Sequence, residues 1–293
     1  MHRKTFLKSL ALWPLIGCKM KLQELNRLTQ PLGATDLMPV FFFGHGSPMN
    51  ALEENEFSRA WRETVQHLPR PNAILCISAH WETRGTFVTA MEKPRTIHDF
   101  GGFPQALFDV QYPAPGSPSI AEETQKAITT TAVGLDQSWG LDHGCWSVVK
   151  HLYPNADVPV LQMSLDYGQG PQWHYALAKE LASLRRKGVL IIGSGNIVHN
   201  LGVLDWQKPE SGFDWAEIAR EKMKQLITNG DHSALTRYTT LGREVQMSVP
   251  TPEHYLPLLY TLGLKEEKES VSFFNDKTVM GSIAMTSLKI GPS

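Results

Sequence analysis

Hydrophobic positions in this chain fall into short unbroken runs, separated by stretches with helical spacing. Val40-Phe41-Phe42-Phe43-Gly44, Ala73 to Ala79, Val158 to Ser164 and Val189 to Gly193 are apolar with little alternation. Runs of that kind predict strands buried on both faces, as in a parallel sheet. Glu53–His67, Ser119–Thr131, Gln172–Arg186 and Asp214–Thr228 instead predict helices, the first closed off by Pro69 and Pro71. Thr86–Ala90 predicts a short strand, and runs at 270–274 and 281–290 predict two more at the end of the chain. Thr251-Pro252 predicts an N-cap and first position of a helix reaching Leu262, with Gly263 just beyond it. Trp139–Trp146 reads as a turn around Gly140 and Gly144. Strands alternating with helices predict an α/β fold with a mostly parallel central sheet covered on both faces.

Two segments break this pattern. Residues 91–118 are rich in proline and glycine, yet carry Phe100, Phe103, Phe108 and Tyr112, which argues for a functional loop over a disordered one. At the other end, Met1-His2-Arg3-Lys4 is basic, Leu10 to Gly17 is mostly apolar, and Leu15-Ile16-Gly17-Cys18 looks like a lipoprotein cleavage box. The chain is read as cytoplasmic, with export or lipid anchoring through Cys18 as the alternative. Residues 1–37 are taken as an N-terminal extension and linker, and 38–293 as one domain. No other segment approaches the length of a membrane span.

Composition narrows the partners. Of 293 residues, 42% are hydrophobic and 19% charged, which suits a globular chain with a large core. Twenty-eight basic against 29 acidic side chains leave no excess for a nucleic-acid partner, so the expected ligand is a small molecule. Cys18, Cys76 and Cys145 offer neither C-x-x-C spacing nor an even number, which argues against a disulfide framework or zinc knuckle.

The chemistry lies in the histidines. His45 follows the first apolar run, His80 the second and His199 comes shortly after Val189–Gly193. Ligands in open α/β sheets bind at the carboxyl ends of strands, and neutral imidazole suits zinc and iron, so these three point to a metal site. His254 falls near the start of a predicted helix, where the positive helix end would keep its ring neutral. His98, beside Asp99, and His143, in Asp142-His143-Gly144, could each orient or protonate a substrate or simply hold a loop. His2, His67, His151, His174 and His232 read as surface or packing residues. A three-histidine site with open positions serves hydrolysis by metal-bound water, or oxygen chemistry at ferrous iron.

Six segments in order resemble one known family. Gly44-His45-Gly46-Ser47-Pro48-Met49, Ser78-Ala79-His80-Trp81, Thr96 to Pro104, Asp142-His143-Gly144, Gly195 to Leu201 and Thr251 to Leu259 look like the class III extradiol ring-cleavage dioxygenases, in the 4,5-DOPA dioxygenase-like branch. The resemblance runs from about Met38 to the C-terminus. It implies a three-layer αβα sandwich, one divalent metal ion and O2-dependent opening of a small, DOPA-like catechol. It further implies His45, His80, His254 and His199 as metal ligands. His199 is also a candidate acid/base, with His143 or His98 assisting. The wider class uses a carboxylate as third ligand, where this chain offers His254 beside Glu253. That leaves Fe(II), needed for oxygen chemistry, and Zn(II), favoured by an all-histidine site, as the two candidate ions. A zinc-dependent hydrolase and a non-catalytic metal or small-ligand binder on the same fold are the alternative functions.

Overall fold

A computed structural model describes residues 35–292. The signal-like segment, Cys18 and most of the linker lie outside the described residues.

In chain order the elements are β1 Val40–Gly44, α1 Glu56–Val65, β2 Ala73–Thr83, β3 Thr86–Thr89, α2 Gln105–Phe108, α3 Pro118–Ala127 and β4 Val133–Asp136. Next come α4 His143–Leu152, β5 Val160–Asp166, α5 Pro171–Glu180, α6 Ala182–Arg185, β6 Val189–Gly195 and α7 Asp214–Thr228. The chain ends with α8 His232–Thr236, α9 Arg243–Ser248, α10 Leu256–Gly263, β7 Ser270–Phe274, β8 Thr278–Val279, β9 Ile283–Ala284 and β10 Ser287–Gly291.

Eight strands form the central sheet in the order β4-β3-β5-β2-β6-β1-β10-β7. The middle four, β5, β2, β6 and β1, run parallel, and antiparallel pairings join β3 to β5, β10 to β1 and β7 to β10. Helices α1 and α4 pack against each other, with α4 on β2 and β6, while α10, backed by α5, packs on β6, β1 and β2. Strand β6 shows why the apolar runs are unbroken. Leu190 and Ile192 join the core under Trp61 and Trp146, whereas a Cβ on Gly193 would meet Pro257 O at 2.5 Å, in α10. Successive residues thus bury into opposite helical layers, and neither parity can be polar.

Register delivers the histidines. Phe43 and Ser78 both pair with Ser194, so these three residues form one row across β1, β6 and β2. His45 and His80 lie two residues beyond Phe43 and Ser78. Side chains two apart share a face, which carries His45 to the α4 side; β2 is irregular between Ile77 and Glu82, and His80 meets His45 there, with their Nε2 atoms 3.2 Å apart.

Several element boundaries depart from the sequence pattern, among them the division of the predicted Gln172–Arg186 helix into α5 and α6, and four others are informative. The predicted turn at 139–146 contains the start of α4, because Asp142 caps it by accepting from Cys145 N–H. Gly144 disguises the helix. The helix expected from Thr251 begins only at Leu256, because the Thr251 hydroxyl is used on Glu253 Oε1 (2.8 Å) instead of on a helical N–H. Strand β2 extends to Thr83, so His80 lies within it instead of after it. The run at 281–290 is divided between β9 and β10, with Met285 and Thr286 between them. Strand β4 and helix α9 carry too few apolar residues to announce themselves.

Candidate active site

Three ring nitrogens, one each from His45, His80 and His254, lie within 4.8 Å of one another at the carboxyl edge of the parallel strands. Each ring is aimed by a different neighbour. Ser194 Oγ donates its single proton to the Gly144 carbonyl, so toward His45 Nδ1 (2.9 Å) it acts as acceptor. His45 therefore carries its proton on Nδ1 and turns a bare Nε2 outward. Asp99 Oδ2 lies 3.4 Å from His80 Nδ1 and favours the same tautomer there. Glu253 Oε1 accepts from His254 Nδ1 at 3.1 Å, which leaves the third Nε2 free. Metal-bound histidines are oriented by this kind of hydroxyl or carboxylate partner.

The nitrogens also fit an ion in their spacing. His45 Nε2 and His80 Nε2 stand 3.2 Å apart. With both protons on the Nδ1 side, two lone pairs face each other, which is unfavourable without a cation between them. Two nitrogens bound tetrahedrally at about 2.1 Å would be separated by about 3.4 Å. The donor set, its tautomers and its spacing thus suit one divalent metal ion.

Glycines admit the close approaches. A Cβ on Gly195 would lie 2.2 Å from His254 O, the carbonyl that accepts from Asn196 N–H (2.9 Å). Without that side chain the 251–255 turn settles onto the end of β6 and brings His254 over His45. A Cβ on Gly144 would lie 2.5 Å from Ser78 Oγ and 2.7 Å from His80 Cδ2.

Two more imidazoles flank the three. The His143 and His80 ring centres are 3.9 Å apart, and Asp99 Oδ2 lies 2.9 Å from His143 Nδ1, out of line for a hydrogen bond. Asp99 Oδ1 accepts the His143 backbone N–H (2.8 Å), so one carboxylate positions both His80 and His143. Across the cavity the His199 ring lies flat on His254, with centres 3.5 Å apart and planes at 8°. His199 falls outside the three-nitrogen set and groups instead with Glu253 and His254.

The sixth candidate, His98, is not brought into the cavity wall. Its Nε2 is bonded to the Val110 carbonyl (2.9 Å) and its ring packs among Phe100, Phe108 and Trp146, where it braces the aromatic loop. Sequence reasoning missed Asp99 and Ser194 as orienting groups. Asp99 was visible only as the neighbour of His98, and nothing in the local pattern tied Ser194 to His45. The cavity, about 350 Å³, is walled by His45, His80, His143, His199 and His254, with Phe100 and Phe103 at one side.

Burial keeps four of these rings, His45, His80, His199 and His254, neutral. It lowers His45 and His80 well below the usual histidine value, with neighbouring imidazoles adding to the effect. Burial and then His254 bring His199 down to about 3. Burial also lowers His254, against the opposing pull of Glu253. The helix end invoked from the sequence is not the cause, since His254 precedes α10. Burial alone would raise Glu253, but hydrogen bonds from His254, its own backbone and Thr251 prevail and hold it at about 2.

These shifts predict acid lability of the metal-free protein. The unfolded chain protonates its histidines near pH 6.5, before the folded one does, so stability is full above that pH and falls as pH drops below it. For the three rings pushed lowest, His45, His80 and His199, the loss between pH 7 and pH 5.5 is about 4 kcal/mol. Thermal melts of chelator-treated protein should then show Tm about 10 °C lower at pH 5.5. Equal Tm values at the two pH values would show that the rings are not held neutral.

An open α/β sheet with a histidine-lined, carboxylate-braced centre at its carboxyl edge defines a mononuclear metalloenzyme of small-molecule chemistry. Residues 39–286 match the family described as the catalytic LigB subunit of aromatic ring-opening dioxygenase, and the chain belongs to that family. It is 47% identical to the 4,5-DOPA dioxygenase extradiol of Escherichia coli (strain K12), over 87% of this chain and 95% of that one. It is 35% identical to the 4,5-DOPA dioxygenase extradiol of Beta vulgaris, over 88% of this chain and 98% of the relative. The crystal structure of an uncharacterized Escherichia coli K12 protein matches with a TM-score of 0.76 and 41% identity, covering 87% of this chain and 100% of that one. The protein is thus a metal-dependent extradiol dioxygenase. Among the described residues no helix is long and apolar enough to cross a membrane.

Proposed function

We propose that this enzyme opens the ring of a small, DOPA-like catechol with O2, at a single ferrous ion held by His45, His80 and His254. The observation that carries this reading is the meeting of three outward-facing Nε2 atoms, each backed by Ser194, Asp99 or Glu253. Bound ferrous iron supplies the redox chemistry that lets dioxygen combine with the ring.

The remaining steps fall to the protein's own side chains. His199 acts as base instead of fourth ligand. Neither of its ring nitrogens is hydrogen-bonded among the described residues, and the ring is unprotonated at neutral pH, ready to accept a catechol proton. The imidazolium so formed is favoured by the nearby Glu253 carboxylate. His143, steadied by Asp99, faces the same space from the His80 side and donates toward the oxygen being reduced. Phe100 and Phe103 form an apolar wall that holds the ring and keeps water away from it.

Neutral imidazoles bind zinc more tightly than ferrous iron. Protein isolated in air is therefore expected to carry mostly zinc and to be inactive, because zinc has no redox chemistry. Removing the metal and reloading ferrous iron anaerobically, then adding a catechol with air, should give a yellow ring-opened product with matched oxygen uptake. Confirmed iron occupancy without oxygen uptake on any catechol would sink the reading and favour a zinc hydrolase or a binding protein.

A further inference from the structure

The segment after β6 holds one buried polar residue that the ring-opening steps do not use. Asn196 stands between Ser194, which aims His45, and His199, yet it lies outside the cavity lining. It is 1% exposed. A buried amide is costly unless its donors and acceptor are satisfied, so the partners of Asn196 show what it holds.

Those partners lie on three separate stretches of chain. The Asn196 backbone N–H donates to His254 O (2.9 Å). Its side-chain Oδ1 accepts the N–H of Gly46 (3.4 Å), the residue after His45, and its Nδ2 donates to Ala284 O (2.8 Å) in β9. Strand β1 is registered on β6 as far as His45, whose N–H donates to Gly195 O (3.1 Å). At Gly46 φ is 61°, so the chain turns away sharply there. Asn196 carries the attachment one residue further, into that turn. In β9 the neighbouring Ile283 lines the cavity and is bridged to His199.

We propose that Asn196 is a positioning residue that fixes the His45 turn, the His254 turn and the strand behind His199 relative to one another. It thereby sets how tightly, and in what geometry, the site holds its ion. The inference rests on the three-histidine metal reading above. Groups that form a metal site must be held within about 0.5 Å of their working positions. His45 and His254 are far apart in sequence, so only tertiary contacts can hold them so. The main-chain bond to His254 survives substitution of Asn196, whereas both side-chain bonds do not. Asn196→Ala leaves the His254 turn resting on a residue no longer tied to Gly46, and leaves the buried Ala284 O without its donor.

Two measurements test this: zinc affinity by competition with a chromophoric chelator, and the visible spectrum of the cobalt(II)-loaded protein. Asn196→Ala should bind zinc about 10–100-fold more weakly. Its cobalt bands should change in position and intensity, because they report the angles between ligands. Asn196→Asp keeps the size and the acceptor for Gly46 but cannot donate to Ala284 O, and should fall between wild type and Asn196→Ala. Ile120→Ala is the control for a plain loss of stability, since Ile120 is buried in α3, which packs on β3 and β4. Its Tm should fall while zinc affinity and cobalt spectrum stay those of wild type. Wild-type affinity and spectrum in Asn196→Ala, or in Asn196→Asp should the alanine variant not fold, would overturn the positioning role. So would the same metal defects in Ile120→Ala. Wild-type protein that binds neither zinc nor cobalt would instead overturn the three-histidine reading, and this inference with it.

Discussion

His45→Ala is expected to abolish both metal retention and ring cleavage. His45 is 2% exposed, its Nδ1 is committed to Ser194, and its Nε2 stands 3.2 Å from that of His80. No neighbour can replace it, since His199 is stacked flat on His254 and His143 is turned toward Asp99. A bound metal contributes several kcal/mol of transition-state stabilisation, so kcat/KM should fall about 1000-fold or more. Metal content after dialysis should fall to background by elemental analysis. His98→Ala is the matched control. Its ring is held by the Val110 carbonyl behind Phe100, so metal content should not change. Full metal content in His45→Ala would mean that the three-nitrogen set is not the binding site.

Gly144→Ala is expected to disable the site without removing any ligand. The added methyl would press on Ser78 Oγ and His80 Cδ2, both closer than any Cβ tolerates. Relief requires His80 to turn away or α4 to lift, and α4 carries both His143 and the Gly144 carbonyl that accepts from Ser194. Overpacking of this type costs about 1–3 kcal/mol, which lowers Tm by about 2–12 °C in a domain of this size. Misplaced orienting contacts typically weaken metal binding about 10–100-fold, and kcat should fall about 100-fold even at saturating iron. Unchanged kcat and metal affinity would show that His80 has freedom the structure does not display. The experiment separates positioning from ligation, because every ligand in the variant is native.

Much of the fold was legible in the chain itself. The four buried parallel strands appear as unbroken apolar runs because each side chain on β1, β2, β5 and β6 enters one helical layer or the other. Helix α7 was predicted with its observed bounds, Asp214–Thr228, from an apolar stripe that needs no distant partner to be recognised. Elements that depend on remote contacts were hidden. The start of α4 is fixed by Asp142, whose carboxylate also receives Ser78 Oγ from β2 and Gln162 Nε2 from β5. Locally, two nearby glycines spoke more loudly than that cap. The short edge strands likewise owe their existence to partners already in the sheet.

The sequence by itself brought six histidines forward as candidates, since strand-end placement and family motifs both follow from local order, and five of them line one cavity. It could not assign their roles. Whether a ring ligates, accepts a proton or braces a loop depends on which atoms lie at its two nitrogens, and most of those atoms are remote in sequence. Ser194 lies 149 positions from His45, and Asp99 lies 44 from His143. His98 and His143 looked alike as loop histidines beside an aspartate, yet one is turned onto a backbone carbonyl and the other into the cavity. Only the row shared by Phe43, Ser194 and Ser78, and the absence of a side chain at Gly144 and Gly195, place five imidazoles around one small space. Periodicity fixes which way a residue faces along its own strand, whereas register and backbone approach between strands decide what it meets there.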